Sequence, residues 1–181
     1  AVADVNTHVG GKPGGVGLPE EYQVACLQVG FGNFYTVRKG RDIDEVTSIT
    51  IPAMQKGVRV ASIAASAFDG CSALLQIKIP DTIQNVDVGF GGGHTSGSAF
   101  MGCTNLTSVE VYCSDASSHL NHEQVYYSAG GALVHKNEET DRVELTFVPA
   151  GITGKFVVPD TVEYIPMNAF ANARVTSVEI P

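Results

Sequence analysis

The sequence predicts a repeat solenoid, mainly β with short helical turns, in which right-handed coils stack with parallel strands behind an N-terminal β cap. Self-similarity is the first observation. Ile63 to Pro80 reads I-A-A-S-A-F-D-G-C-S-A-L-L-Q-I-K-I-P, and from Ser98 the chain returns to S-A-F-M-G-C-T-N-L-T-S-V-E-V. Phe100, Cys103, Leu106, Val109 and Val111 repeat the 3, 3, 3 and 2 spacings of Phe68, Cys71, Leu74, Ile77 and Ile79. A third copy, N-A-F-A-N-A-R-V-T-S-V-E-I-P, has Ala173 in the cysteine place and one residue fewer before Val175. A half-copy, Val46-Thr-Ser-Ile49-Thr-Ile51-Pro52, precedes the first unit. A period of a few tens of residues marks stacked units.

Apolar periodicity is the second observation. In Ile77-x-Ile79 and Val109-x-Val111 the apolar side chains share one face of a short strand, and Lys78 and Glu110 take the other. A second apolar pair follows at a spacing of three: Val60 and Ile63, Ile83 and Val86, Val162 and Ile165. Then comes Ala-Phe, whose ring is placed to stack on the next unit. Punctuation is the third observation. Pro52, Pro80 and Pro181 close three of the strands, where the chain stops donating to a ladder and turns. No unit has two sides of a core, so each buries its apolar edge on its neighbour.

The pattern L-x-x-I-x-I-P-x-x-V-x-x-I-x-x-x-A-F-x-x-C resembles the BspA-type (Treponema-type) leucine-rich repeat of bacterial surface proteins and some parasitic protists. Val158-Pro-Asp-Thr-Val162-Glu-Tyr-Ile165-Pro-Met-Asn-Ala169-Phe170 is its fullest match. The resemblance covers roughly residues 44–111 and 158–181 and implies a leucine-rich repeat solenoid fold. It fixes no site, because the family is defined by its core.

At 181 residues and 44% hydrophobic, the chain is long enough for one domain with a sizeable core. A net charge of −8 argues against a nucleic-acid partner, which needs clustered Lys and Arg. No apolar run approaches the ~20 residues of a membrane span, so no membrane insertion is expected. An extracellular or cell-surface location follows from the resemblance, not from a visible leader. Because the chain starts at Ala1, a processed leader is compatible with that expectation.

Residues 1–19, with His8-Val-Gly-Gly-Lys-Pro-Gly-Gly-Val-Gly17, read as a flexible Gly-rich segment. A phosphate-cradling loop would need Gly-Lys-Ser/Thr after a strand, and neither is present. Residues 20–181 form a single leucine-rich repeat domain. Within it, residues 20–43 alternate at Tyr22, Val24 and Cys26, then at Phe34, Tyr35 and Val37, around Gly30-Phe-Gly-Asn33. This hairpin is the candidate cap, because an open stack end exposes core and strand edge.

Residues 44–111 carry repeats with insertions, one around Met54-Gln-Lys-Gly57 and one in Val88-Gly-Phe-Gly-Gly-Gly-His-Thr-Ser-Gly97. Insertions in stacked repeats emerge on one face, often the binding face, which places Phe90 and His94 among the candidate contacts. The plain alternative is a loop that the stack tolerates. Residues 112–157 interrupt the repeats. Val125-Tyr-Tyr127, Ala132-Leu-Val134 and Val143-x-Leu145-x-Phe147, separated by Gly130-Gly131 and Lys136-Asn-Glu-Glu-Thr-Asp141, predict a three-stranded β-meander continuing the solenoid wall. Residues 158–181 are the terminal repeat. Its stop at Ile180-Pro181, after a strand, suggests a chain end or a fragment of a longer array.

Candidate chemistry is sparse. Cys113-x5-His119-x2-His122, beside Glu123, has the residue types of a zinc site but no fourth ligand at a familiar spacing. Cys113 with a histidine makes a nucleophile pair on paper, with nothing to fix its geometry. Cys71 and Cys103 occupy equivalent repeat places and read as buried thiols. Adjacent rungs ~5 Å apart also permit a bridge. Cys26 and Cys113 have no repeat partner. No cofactor, metal or catalytic residue is expected.

The outward strand positions remain: Thr47, Ser48 and Thr50; Leu75, Gln76 and Lys78; Thr107, Ser108 and Glu110; Thr176, Ser177 and Glu179. Ser and Thr suit exposed strand positions in any case. As a function, this wall offers a shallow partner-binding face with Thr50, Gln76, Lys78, Ser108 and Glu110 at its centre and Phe90 and His94 beside it. The chain has no Trp, so the strongest kind of hot spot is missing. The resemblance implies a non-catalytic bacterial surface or secreted module for protein–protein contact or adhesion, with a host or bacterial surface protein or glycan as partner. The alternative is a structural spacer or stalk segment with no ligand of its own.

Overall fold

A computed structural model describes residues 2–4, 15–17, 22–29, 32–39, 45–55, 57–87, 98–114 and 124–181. Phe90, His94, His119, His122 and Glu123 lie outside the described residues. In chain order the strands are β1 (Val2–Asp4), β2 (Gly15–Gly17), β3 (Tyr22–Val29), β4 (Gly32–Lys39) and β5 (Ser48–Thr50). Next come β6 (Met54–Gln55), β7 (Val58–Ile63), β8 (Gln76–Pro80), β9 (Asn85–Val86) and β10 (Ser108–Tyr112). The remainder are β11 (Tyr126–Ala129), β12 (Ala132–Asn137), β13 (Arg142–Phe147), β14 (Thr153–Val157) and β15 (Arg174–Glu179).

The half-copy and the first two full repeats contribute their alternating apolar strands β5, β8 and β10 to one parallel sheet, ordered β1-β5-β8-β10. Ile49 pairs with Ile77 and Ile77 with Val109, so the apolar residues of successive repeats sit in one row and are buried. After its proline the chain crosses to a second set, where β4 and β9 flank β7 in parallel. Val60, Ile63, Ile83 and Val86, the spacing-of-three pairs, face the core there.

The links back are tight turns; no α-helix occurs among the described residues, which corrects the expected short helical turns. Cys71 N–H donates to Phe68 O (3.1 Å) and Leu74 N–H to Cys71 O (3.1 Å), and the next repeat copies both bonds at Cys103 and Leu106. Positive φ at Gly70 (74°) and Gly102 (77°) breaks each run before it can propagate. Asn172 (65°) occupies the same place in the third copy, asparagine being the residue that best tolerates that conformation after glycine. Phe68 N–H and Gly70 N–H donate to Ala99 O and Met101 O, each at 2.8 Å, binding one turn to the next.

From the segment read as a flexible linker, β1 adds in parallel to β5 and β2 adds antiparallel to β3. The open edge of each partner strand supplies the unpaired amides and carbonyls that such strands satisfy. The β3–β4 hairpin is antiparallel, and β4 joins β7.

The meander forms, but as a separate antiparallel sheet, β11-β12-β13, and not as a continuation of the parallel wall. It closes the free edge of β10: Val109 N–H donates to Gly131 O (2.9 Å), and Val111 N–H donates to Ser128 Oγ. A Cβ on Gly131 (φ 83°) would lie 2.7 Å from Thr107 O, so glycine is required at this approach. β12 is buried on both faces. Leu133 packs into the repeat core with Phe100 and Phe147, whereas Ala132 and Val134 pack into a second core with Phe156 and Val158. Beyond it, β14 pairs in parallel with β15, a strand pair of its own. The repeat positions Val178 in β15 and Ile180 just after it are exposed (43% and 68%), where Ile77 and Ile79 one sheet earlier are at 0%.

Candidate functional site

Strand alternation and register assemble the predicted wall. Ser48, Gln76 and Ser108 form one row across β5, β8 and β10, and Thr50, Lys78 and Glu110 form the next. All five central candidates, Thr50, Gln76, Lys78, Ser108 and Glu110, are therefore adjacent and part-exposed. Lys78 Nζ reaches Glu110 Oε2 at 3.0 Å, and Gln76 Nε2 donates to the same oxygen at 3.1 Å. The two charges of the wall thus offset each other, and it can offer hydrogen bonds and a local dipole.

Cys103 is buried and held as a thiol. Cys103 Sγ donates to Phe68 O (3.0 Å), and its hydrogen bond with Cys71, then burial, push the thiol well above its ordinary pKa. Cys113 is exposed, and its proposed zinc partners lie outside the described residues. No group of three His, Cys, Asp or Glu side chains positioned for a metal occurs among the described residues.

A second site escaped the sequence reading. Where β9 meets the meander, a cleft of about 560 Å³ opens, lined by Asp87, Tyr126, His135, Asn137, Glu144 and Tyr164, among others. Register builds it. Tyr126 pairs with His135, His135 with Glu144, and Glu144 bridges to Tyr164, so four side chains from four passes of the chain form one row. The Tyr126 and His135 rings lie 4.9 Å apart, tilted by 36°. Tyr126 Oη accepts from Val86 N–H (3.2 Å), and burial raises its phenol pKa, keeping it protonated. Burial lowers the pKa of His135, against Glu144 and Glu138, which raise it. Asn137 Nδ2 donates to Glu144 Oε1 at 3.0 Å. No Lys or Arg lines the cleft among the described residues. The signal lay in alternate positions of the meander strands, but Asn85 to Asp87 and Tyr164 come from other segments that no spacing connects to them.

Short parallel strands, a turn with a buried phenylalanine and a repeated apolar register define the class: a mostly β leucine-rich repeat protein. Residues 42–90 and 147–181 match the BspA type leucine rich repeat region, in six copies. No curated protein matches the sequence. Among solved structures, the chain is similar to a leucine rich cell surface protein from Faecalibacterium prausnitzii A2-165, with 22% identity and a TM-score of 0.46, over 76% of this chain and 36% of that one. It is similar to the T. pallidum leucine rich repeat protein (18%, TM-score 0.43, 88% and 69%). A leucine-rich repeat protein from Bacteroides ovatus ATCC 8483 is also similar (16%, TM-score 0.41, 89% and 40%). The chain therefore spans well under half of the first and third of these proteins. No helix among the described residues is long and apolar enough to cross a membrane.

Proposed function

We propose that this chain is a non-catalytic interaction module of a bacterial surface or secreted protein. Its repeats stack as a right-handed solenoid capped by the β3–β4 hairpin, and the outward wall of β5, β8 and β10 docks a macromolecular partner. One observation carries the reading: the in-register rows Ser48–Gln76–Ser108 and Thr50–Lys78–Glu110 place part-exposed polar groups side by side on one sheet face. Rows of this kind suit a partner of protein or glycan size, as repeat walls do. The match to the BspA-type repeat supports a surface location and adhesion, and the net charge of −8 disfavours nucleic acid.

The spacer reading has its own support. Gln76, Lys78 and Glu110 satisfy one another, as they would on a wall that contacts nothing. Binding decides between the two. The chain and its Gln76→Ala/Lys78→Ala/Glu110→Ala variant are passed over immobilised extracellular-matrix and bacterial-envelope proteins. Saturable binding that weakens in the variant supports docking. Binding that the variant leaves unchanged moves the contact off the wall, and no binding to any surface supports the spacer.

A further inference from the structure

The cleft beside the meander shares no residue with the wall, and the docking role does not account for it. Its volume, about 560 Å³, falls within the ~300–1,000 Å³ usual for small-ligand sites. Its polar groups are of both kinds. Asp87 and Glu144 offer carboxylate acceptors. The amide of Asn137 is a donor already aligned on Glu144. Tyr126 is only 7% exposed, and its oxygen is used as an acceptor from Val86 N–H. Its own O–H proton meets no acceptor among the described residues. A buried donor left without a partner is costly, so a ligand oxygen at this point would be favoured.

These features select the ligand class. An anion is disfavoured, since two carboxylates and, among the described residues, no Lys or Arg line the cleft. An ammonium or guanidinium group would suit the carboxylates but carries donors only, leaving the Tyr126 proton unmatched. A hydroxyl both donates and accepts, and so matches both kinds of group at once. Tyr164, at 48% exposure, adds an open ring to the lining, and aromatic faces pack well on the C–H face of a pyranose. We propose that the row Tyr126–His135–Glu144–Tyr164, with Asp87 in the same lining, is a binding site for a neutral sugar residue.

Isotope-labelled protein of the full 181 residues is titrated with the methyl glycosides of galactose, glucose, mannose and N-acetylglucosamine, followed by amide NMR. Sialic acid and arginine amide serve as the charged controls. At least one neutral glycoside gives saturable shifts at Asp87, His135, Glu144 and Tyr164. Glu144→Gln and Tyr164→Ala each weaken it about tenfold, the size of one lost charged hydrogen bond or contact. Both substitutions are at part-exposed side chains, and retained melting temperatures show that the fold survives. The Gln76/Lys78/Glu110 wall variant binds the glycoside unchanged, so failure at the wall and failure at the cleft are read separately. The proposal is overturned if no neutral glycoside gives a saturable shift, if arginine amide alone does, or if both cleft variants bind as well as the parent.

Discussion

The rings of Phe68 and Phe100 lie 5.8 Å apart and within 5° of parallel, one from each of two successive repeats. The ladder then continues to Phe147 (5.0 Å, 26°), which comes from the meander and not from a repeat turn. Phe170, the third sequence match, belongs instead to the second core, edge-on to Phe156 at 5.8 Å. Aromatic stacking thus joins the two repeats to the segment that interrupts them.

Phe68 is fully buried at the start of that ladder. Phe68→Ala should lower the unfolding free energy by ~3–5 kcal/mol, the range for emptying a core phenylalanine site. Chemical denaturation measures it, and a loss below ~1 kcal/mol would mean that the ladder is not a tightly packed core.

Gly102 tests how closely the coils approach. A Cβ there would sit 2.9 Å from the backbone of Gly70, whereas one on Gly57 would meet nothing within 4 Å, although both residues have positive φ (77° and 75°). Gly57→Ala should cost ~1–2 kcal/mol from backbone strain alone. Gly102→Ala should cost ~2–5 kcal/mol, because overpacking adds to the strain. Equal losses would show that the turns do not touch.

How much of this was legible depended on whether a residue's place is set by local period or by register between distant segments. The wall could be read because alternation within Gln76-Ile77-Lys78-Ile79 fixes both faces of a strand, and the repeat fixes its neighbour. The cysteine places could be read for the same reason. The cleft could not, since the Tyr126–His135–Glu144 row depends on two hairpin registers and Tyr164 arrives from the next repeat. β14 was missed because Thr153-Gly-Lys-Phe-Val157 carries a glycine and a weak alternation, and its pairing with β15 supplies what propensity does not. The meander's sequence shows strands but not which edge they join, so alternation alone does not separate it from the wall.

His135 gives a pH signature. Burial lowers its folded pKa, so the unfolded chain takes up the proton first, and its contribution to stability is lost as pH falls below the unfolded value of about 6.5. The loss levels off once the folded imidazole is also protonated. Between about pH 7.5 and 5 the parent's melting temperature should therefore fall more steeply than that of His135→Gln, with Glu144 and Glu138 present in both. Parallel curves would contradict the buried neutral imidazole.

The most direct test of the stacked register is cross-linking across the wall. Gln76 and Ser108 are partners in adjacent parallel strands, a separation of ~4.8 Å that lies inside disulfide range. Gln76→Cys with Ser108→Cys should cross-link on mild oxidation, with the parent protein controlling for the native thiols. Gln76→Cys with Glu110→Cys, two residues out of register, should not. A bridge in the second pair and none in the first would contradict the in-register wall on which the proposed docking face rests.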